Sequence, residues 1–312
     1  MDGQQVFELV EMIWKDLGRN RENFLYISHY NSFDINSEIV KALQRKWKRT
    51  SFYYFEFYGS KMSVAYAPFF DWIKERCDEE KLSYEDLMEI CQIYPIHRDV
   101  LLSLFKTGKA KRMDEVIIGE VRNEEEEMLD SIVRMIGYFT EKKPIIFILH
   151  KLHVASSSSL KVILRLIEKS TKNIGMLLTY NDYYSPMEYC EEILKELSNI
   201  CTQKDKIIDW RGDEVLKTEA TTFHFHLHHM DTYIKKISNM IETLAMEQAR
   251  YYLSIMYHKF EVEELTVTPA RKFKILESYA KVCVYQGDVA NALLICFFQP
   301  RVSHDVLCIE VK

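Results

Sequence analysis

The feature that most constrains the fold is a pair of short apolar runs separated by a helical pattern within residues 142–182. The first run, at 145–149, follows Pro144, is too short for a helix, and is rich in β-branched and aromatic residues. Such a run is typical of a strand buried on both faces of a parallel sheet. The serines at 156–159 can cap a helix whose apolar residues recur at helical spacing, and a second apolar run at 174–178 predicts another strand. Strand, helix and strand would form a right-handed βαβ unit if the strands are neighbours.

A strand–loop–helix pattern near the N terminus is the context in which a phosphate-binding loop, Gly-x-x-x-x-Gly-Lys-Ser/Thr, occurs. Residues 24–27 predict the strand, 28–37 the loop and 38–47 the helix. The two glycines, the lysine and the Ser/Thr are replaced, in that order, by His29, Asp34, Ile35 and Asn36. The glycines let the backbone wrap a phosphate, the lysine neutralises its charge, and the hydroxyl holds magnesium. The loss of all four groups argues against Mg-ATP binding and predicts a degenerate P-loop.

Residues 142–182 resemble the Walker B to sensor region of the STAND-type signalling ATPases, a branch of the AAA+ P-loop superfamily. Members typically have an apolar strand running into Asp-Asp-Leu-His, and a later strand ending near Thr-Tyr-Arg. The matching residues are Leu152, His153, Thr179 and Tyr180, and the residues that replace the acidic pair are His150 and Lys151. The resemblance implies an α/β fold with a P-loop-type, mostly parallel sheet flanked by helices. It also implies a nucleotide site that is degenerate at His150, Lys151 and Thr179.

The C-terminal part, residues 231–312, predicts an all-helical extension, so that the α/β domain would span residues 1–230. Its residues 276–293 are similar to a tetratricopeptide unit, in which small residues let two helices approach each other. One unit cannot bury its faces alone, and the abrupt end therefore suggests a fragment with an uncovered apolar face. The predicted face comprises Leu293, Leu294, Phe297 and Phe298. We expect it to bind a protein partner or a missing downstream domain.

The composition and charge of the chain argue against some classes of function. The formal net charge is −6, so no overall basic field favours nucleic acid or anionic lipid. No apolar run approaches the roughly 20 residues that cross a bilayer. Seven scattered cysteines without Cys-x-x-Cys spacing fit reduced thiols in a cytoplasm. The basic stretch at 41–49, which contains Trp47, is the nucleic-acid candidate, but Lys and Arg at a helix end equally complement the helix dipole.

Other polar clusters give no catalytic assignment. His224, His226 and His228 would share one strand face, but zinc sites draw ligands from more than one element, and no metal is predicted. The acidic run at 124–127 is interpreted as a solvated first turn of a helix. The histidines at 150 and 153 are the best candidates for residual activity, because ligands collect at strand ends in open α/β sheets; histidines satisfied at the edge of the core are the competing interpretation.

The sequence therefore predicts a non-catalytic regulatory or scaffold module of a signal-transduction protein, derived from a STAND ATPase and lacking its output domain. It predicts no catalytic residue and no bound cofactor. The alternative is a nucleotide-binding ATPase with an atypical P-loop, for which ATP would be the cofactor.

Overall fold

The structure is a computed structural model and describes residues 3–17, 23–29, 35, 37–57, 65–110, 121–169, 172–181, 188–210, 229–262, 268–286 and 288–297. The strands in these ranges are β1 Phe24–His29, β2 Ser51–Glu56, β3 Ile145–His150, β4 Ile174–Asn181 and β5 Ile207–Trp210. The helices are α1 Gly3–Asp16, α2 Ser37–Lys46, α3 Phe69–Glu80, α4 Tyr84–Ile90, α5 Pro95–Thr107, α6 Val121–Lys142, α7 Ser157–Glu168, α8 Glu188–Gln203, α9 Met230–Glu242, α10 Met246–Val262, α11 Pro269–Tyr285 and α12 Val289–Phe297. None of these helices is both long and apolar enough to cross a membrane.

The five described strands form one parallel sheet in the order β2-β3-β4-β1-β5. β3 pairs with β4, which confirms that the two apolar runs of the βαβ pattern are neighbours. β1 also pairs with β4 in parallel, so β1 and β3 run in the same direction on either side of it. The predicted P-loop-type α/β fold is therefore confirmed. The carboxyl ends of all five strands lie along one edge of the sheet.

Both faces of the sheet are covered, because successive side chains of a strand point to opposite sides. In β3, Phe147 belongs to the large core beneath α3 and α6, whereas Ile146 and Ile148 belong to a second core beneath α1 and α2. α1 comes very close to the middle of the sheet at Gly175. A Cβ atom at that position would lie 2.6 Å from Cγ2 of Ile13, so only glycine fits without a shift of the helix.

β2 is rich in aromatic residues but is not a central strand. It pairs only with β3 and forms an edge of the described sheet. Phe55 is buried, but the other five residues of the strand are half-buried. Aromatic composition predicts a strand but does not decide between a central and an edge position, because an edge strand also needs apolar residues for the face that packs on helices.

The C-terminal helices pack onto the α/β part. Buried residues of α9 and α10 such as Met240 and Leu253 belong to the same core as Phe147. α11 and α12 form a hairpin whose small residues Ala280 and Ala292 are buried together, as the helix-approach pattern predicts. The strand predicted at 221–227, with its three histidines, lies outside the described residues.

Candidate functional site

Three of the residues predicted to mark a degenerate nucleotide site, His29, His150 and Thr179, meet at the carboxyl edge of the sheet. His29, which the sequence placed within the loop at 28–37, is instead the last residue of β1, and its side chain is buried. His150 ends β3 and is also buried. Their rings stack with 6.1 Å between centroids and 11° between planes. Because β4 separates β1 from β3, the two imidazoles reach each other above the end of the central strand.

Thr179 of β4 fixes the orientation of His150. The distance between Nδ1 of His150 and Oγ1 of Thr179 is 2.6 Å, and the backbone N–H of Lys151 donates to the same hydroxyl oxygen at 3.4 Å. Both His150 and Thr179 are buried. The threonine that matches the sensor strand in the STAND pattern therefore contributes to an internal hydrogen-bond network at this edge.

The positive charge of Lys151, at the carboxyl edge of the sheet, is neutralised by a side chain of the neighbouring strand β2. Nζ of Lys151 forms an ion pair with the carboxylate of Glu56, the last residue of β2. The hydroxyl of Tyr54 donates to the other carboxylate oxygen of Glu56 at 3.2 Å. The charge of Lys151, predicted to replace an acidic Walker B residue, is thus directed to Glu56.

Burial keeps the imidazoles of His150 and His153 neutral. Desolvation lowers the pKa of His150 to about 4; the nearby Glu56 opposes this shift, and His29 and Lys151 add to it. Desolvation likewise lowers the pKa of His153 to about 4, with His29, His150 and Lys151 as further causes. His153 packs edge-on against Tyr180, with 5.9 Å between the ring centroids. Near neutral pH these groups supply no positive charge to a phosphate.

The residue predicted to replace the phosphate-loop lysine, Ile35, is an apolar core residue. Ile35 is 4% exposed and packs in the core that includes Ile27 of β1 and Leu43 of α2. Glu38, in the first turn of α2, forms an ion pair with Lys41 at 2.7 Å. A carboxylate therefore already occupies the turn at the positive end of the helix dipole. Asp34 and Asn36 lie outside the described residues.

The basic stretch at 41–49 is folded against α1. Trp47 is only 8% exposed, and its ring stacks on Trp14 with 5.6 Å between centroids. Lys46 forms an ion pair with Glu11 of α1 at 3.0 Å. The aromatic ring that would stack on a base in the nucleic-acid interpretation is therefore part of the core.

Buried thiols and possible metal ligands are the other groups to consider in the described part of the chain. Burial is the largest cause that raises the pKa of Cys77 and Cys201 to about 12, so these thiols are poor nucleophiles. Within the described ranges, no group of three or more His, Cys, Asp or Glu side chains is arranged to hold a metal ion.

The sequence interpretation missed a cluster of charged side chains around Lys161 of α7. The acidic run at 124–127 is not simply solvated: Glu125 contacts Nζ of Lys161 at 2.6 Å, and Glu127 contacts Nε2 of His97 at 2.7 Å. Lys161 also pairs with Glu247 of α10. These partners are far apart in the sequence, and no local pattern signals that they meet.

The comparisons with known proteins add little to this description. No protein-family model and no curated protein matches the chain. Among solved structures, a chain of the Drosophila ORC bound to AT-rich DNA and Cdc6 is similar, with a TM-score of 0.33 and 10% identity. The match covers 89% of this chain and 82% of that chain. At this TM-score the likeness carries no argument, and the assignment to a P-loop-type α/β fold follows from the sheet itself.

Proposed function

We propose that this chain is a non-catalytic regulatory or scaffold module, derived from a STAND-type P-loop ATPase, that acts by binding a protein partner through its C-terminal helices. The observation that carries the proposal is the packed, neutral carboxyl edge of the sheet. His29, His150 and Thr179 pack and hydrogen-bond with one another there, and Ile35 lies in the core.

The electrostatic balance at this edge supports the loss of ATPase chemistry. Phosphoryl transfer requires cations that neutralise the β- and γ-phosphates and a carboxylate that holds magnesium. The imidazoles of His150 and His153 are neutral near pH 7, and Lys151 and Glu56 neutralise each other. Binding Mg-ATP would require breaking this ion pair in a partly buried place, where the separated charges would lose much of their compensation.

The partner-binding part of the proposal rests on α12. Leu293 and Leu294 are each 53% exposed, although the same helix buries Ala292 and Ile295 against α11. Adjacent exposed leucines on a helix that ends a hairpin are suited to cover by another apolar helix face. The side chains of Phe297 and Phe298, predicted to extend this face, lie outside the described residues. The free cysteines support a reducing cytoplasm as the location.

The nucleotide part of the proposal is tested by titrating the purified chain with ATP, with and without magnesium, and by following phosphate release. We expect neither saturable binding at millimolar ATP nor release above the blank. Steady release that is abolished in His150→Ala or Asp34→Ala, and kept in a control variant of the exposed His258, would overturn the proposal in favour of an ATPase with an atypical loop.

The partner-binding part is tested by sedimentation velocity over a range of chain concentrations. We expect the apolar face to cause concentration-dependent association that Leu293→Asp or Leu294→Asp abolishes without lowering the melting temperature. Ala290→Asp is the matched control, because Ala290 is exposed on the same helix and lies at its first turn, where a carboxylate is favourable. A chain that stays monomeric, and that unfolds on either leucine substitution, would show that these leucines belong to the core.

A further inference from the structure

A cavity of about 560 Å³ lies between the α/β part and the C-terminal helices. Its walls come from the segment before α3, from α6, α7 and α8, and from α10 and α11. The volume falls within the range of about 300–1,000 Å³ that is typical of small-molecule sites, which often form between structural units. The cavity is separate from the degenerate nucleotide positions, since none of His29, His150 or Thr179 lines it.

Four charged side chains line the cavity, two carboxylates and two cations, and both carboxylates are grouped around the same cation. Lys161 is shared by two carboxylates, those of Glu125 and Glu247, so this triad has a net charge of −1. The other cation in the wall, Arg250, is already paired with Asp288, and it also donates to the side-chain oxygen of Gln286 at 3.1 Å. The excess therefore remains at the triad.

Glu125 is the carboxylate that carries this excess. The carboxylate of Glu247 is stabilised by Lys161 and by the hydroxyl of Ser157, whose oxygen lies 3.0 Å from Oε2 of Glu247. Burial acts to raise the pKa of Glu247, but these partners outweigh burial and the net shift of the pKa is downward. Burial and then the charge of Glu247 raise the pKa of Glu125, in spite of its own contact with Lys161. A second cation beside Glu125 would relieve this repulsion.

Aromatic side chains form much of the remaining wall, namely Tyr66, Tyr189, Tyr251 and Tyr285. Tyrosine rings attract cations through their quadrupole, and the attraction is strongest where water is excluded. Next to this wall, the side chain of Gln248 is 1% exposed. The hydroxyl of Tyr189 is also buried, and it lies against the Gln248 side chain, whose hydrogen bond acts to lower the pKa of Tyr189 while burial, the larger cause, raises it. This pair adds polar groups beside the tyrosine rings of the wall.

We propose that this cavity binds a small organic cation, an amine attached to an apolar body, with its ammonium group against Glu125 and its body between the tyrosine rings. Because α6 and α7 supply one side of the triad and α10 the other, such a ligand would contact both the α/β part and the helical extension. The assignment is independent of the partner-binding role proposed for α12.

The test is calorimetric titration of the wild-type chain with three probes of similar shape and different charge: 4-phenylbutylamine, 4-phenylbutan-1-ol and 4-phenylbutanoate. We expect the amine to bind at least about tenfold more tightly than the alcohol, since a factor of ten corresponds to about 1.4 kcal/mol, a reasonable value for one partly buried charge contact. The anionic probe should bind most weakly. Equal binding of amine and alcohol, or no saturable binding of the amine up to millimolar concentration, would overturn the proposal.

Two variants test whether the amine binds in this cavity. Glu125→Gln removes the excess charge with little change in shape and should weaken amine binding about tenfold while leaving the alcohol unaffected. Glu126→Gln makes the same change on the same helix at a more exposed carboxylate that pairs with Arg165 outside the cavity, and should bind the amine as the wild type does. Equal amine binding by Glu125→Gln and the wild type would overturn the assignment. The probe series on the wild-type chain decides the question even if a variant fails to fold.

Discussion

The neutral histidines at the sheet edge predict a specific loss of stability in mild acid. The pKa of His150 is about 4 in the folded chain, because of burial, against an ordinary value of 6.5. Between these two values the unfolded chain binds a proton that the folded chain does not. The stabilisation from the neutral imidazole is therefore fully present above pH 6.5 and is lost as the pH falls towards 4.

The magnitude follows from the size of the shift. One pKa unit corresponds to about 1.4 kcal/mol, and from pH 7 to pH 5 the two titrations diverge by roughly 1.5 units. His150 alone should therefore remove about 2 kcal/mol of the free energy of unfolding over this interval. Burial also lowers the pKa of His153 to about 4, so His153 should add a similar loss of stability over this interval.

The assay is urea unfolding at pH 7 and at pH 5, followed by tryptophan fluorescence, for the wild type and two single variants. In His150→Gln the loss of stability between the two pH values should be smaller than in the wild type by about 2 kcal/mol. His258→Gln is the control, because His258 is exposed on α10. The free energy of unfolding of this variant should depend on pH as that of the wild type does. The carboxylates are the same in all three chains, so their contributions cancel when the pH dependences are compared.

The reasoning is refuted if His150→Gln and the wild type lose equal stability between pH 7 and pH 5, within about 0.5 kcal/mol. That result would mean that His150 is hydrated or charged in the folded chain. The sheet edge would then offer a cation to an anionic ligand, contrary to the neutral site described above.

Two further predictions test the packing of the sheet. Gly175→Ala should lower the free energy of unfolding by about 1–3 kcal/mol, since the new methyl group would lie 2.6 Å from Cγ2 of Ile13. Gly137→Ala in α6 is the control, because its methyl group would enter open space and should raise the free energy of unfolding by about 0.5–1 kcal/mol. Equal denaturation midpoints for the two variants would contradict the close approach of α1 to the sheet. Thr179→Val should lower the free energy of unfolding by about 1–3 kcal/mol, because it leaves the buried Nδ1 of His150 without the Thr179 hydroxyl. Thr179→Ser keeps the hydroxyl and is the control. In the same unfolding assay, a serine variant less stable than the valine variant would count against the hydrogen bond.

The sequence by itself determined the elements and the class of fold. The runs at 145–149 and 174–178 are short, apolar and β-branched, and they form adjacent parallel strands buried on both faces. The serine cap also lies where the sequence places it, since the side chain of Ser156 accepts from the backbone N–H of Ser159. These features depend on neighbours a few residues apart, so periodicity and capping rules predict them.

The residues predicted to replace the P-loop motif could also be identified from the sequence, but their places in the fold could not. The sequence shows an isoleucine at the lysine position; only the fold shows that Ile35 lies in the core between β1 and α2. It shows two histidines at 29 and 150; only the strand order brings their rings together above β4.

Tertiary structure alone decided which charges meet and which stay neutral. Lys151 could have faced a phosphate, but it pairs with Glu56 because β2 lies beside β3. Glu125, Lys161 and Glu247 come from three helices that no local pattern connects. The physical reason is that periodicity records only which side of its own element a residue occupies. Coulomb interactions and desolvation depend on distances across the packed chain, and these are fixed when the helices and strands assemble.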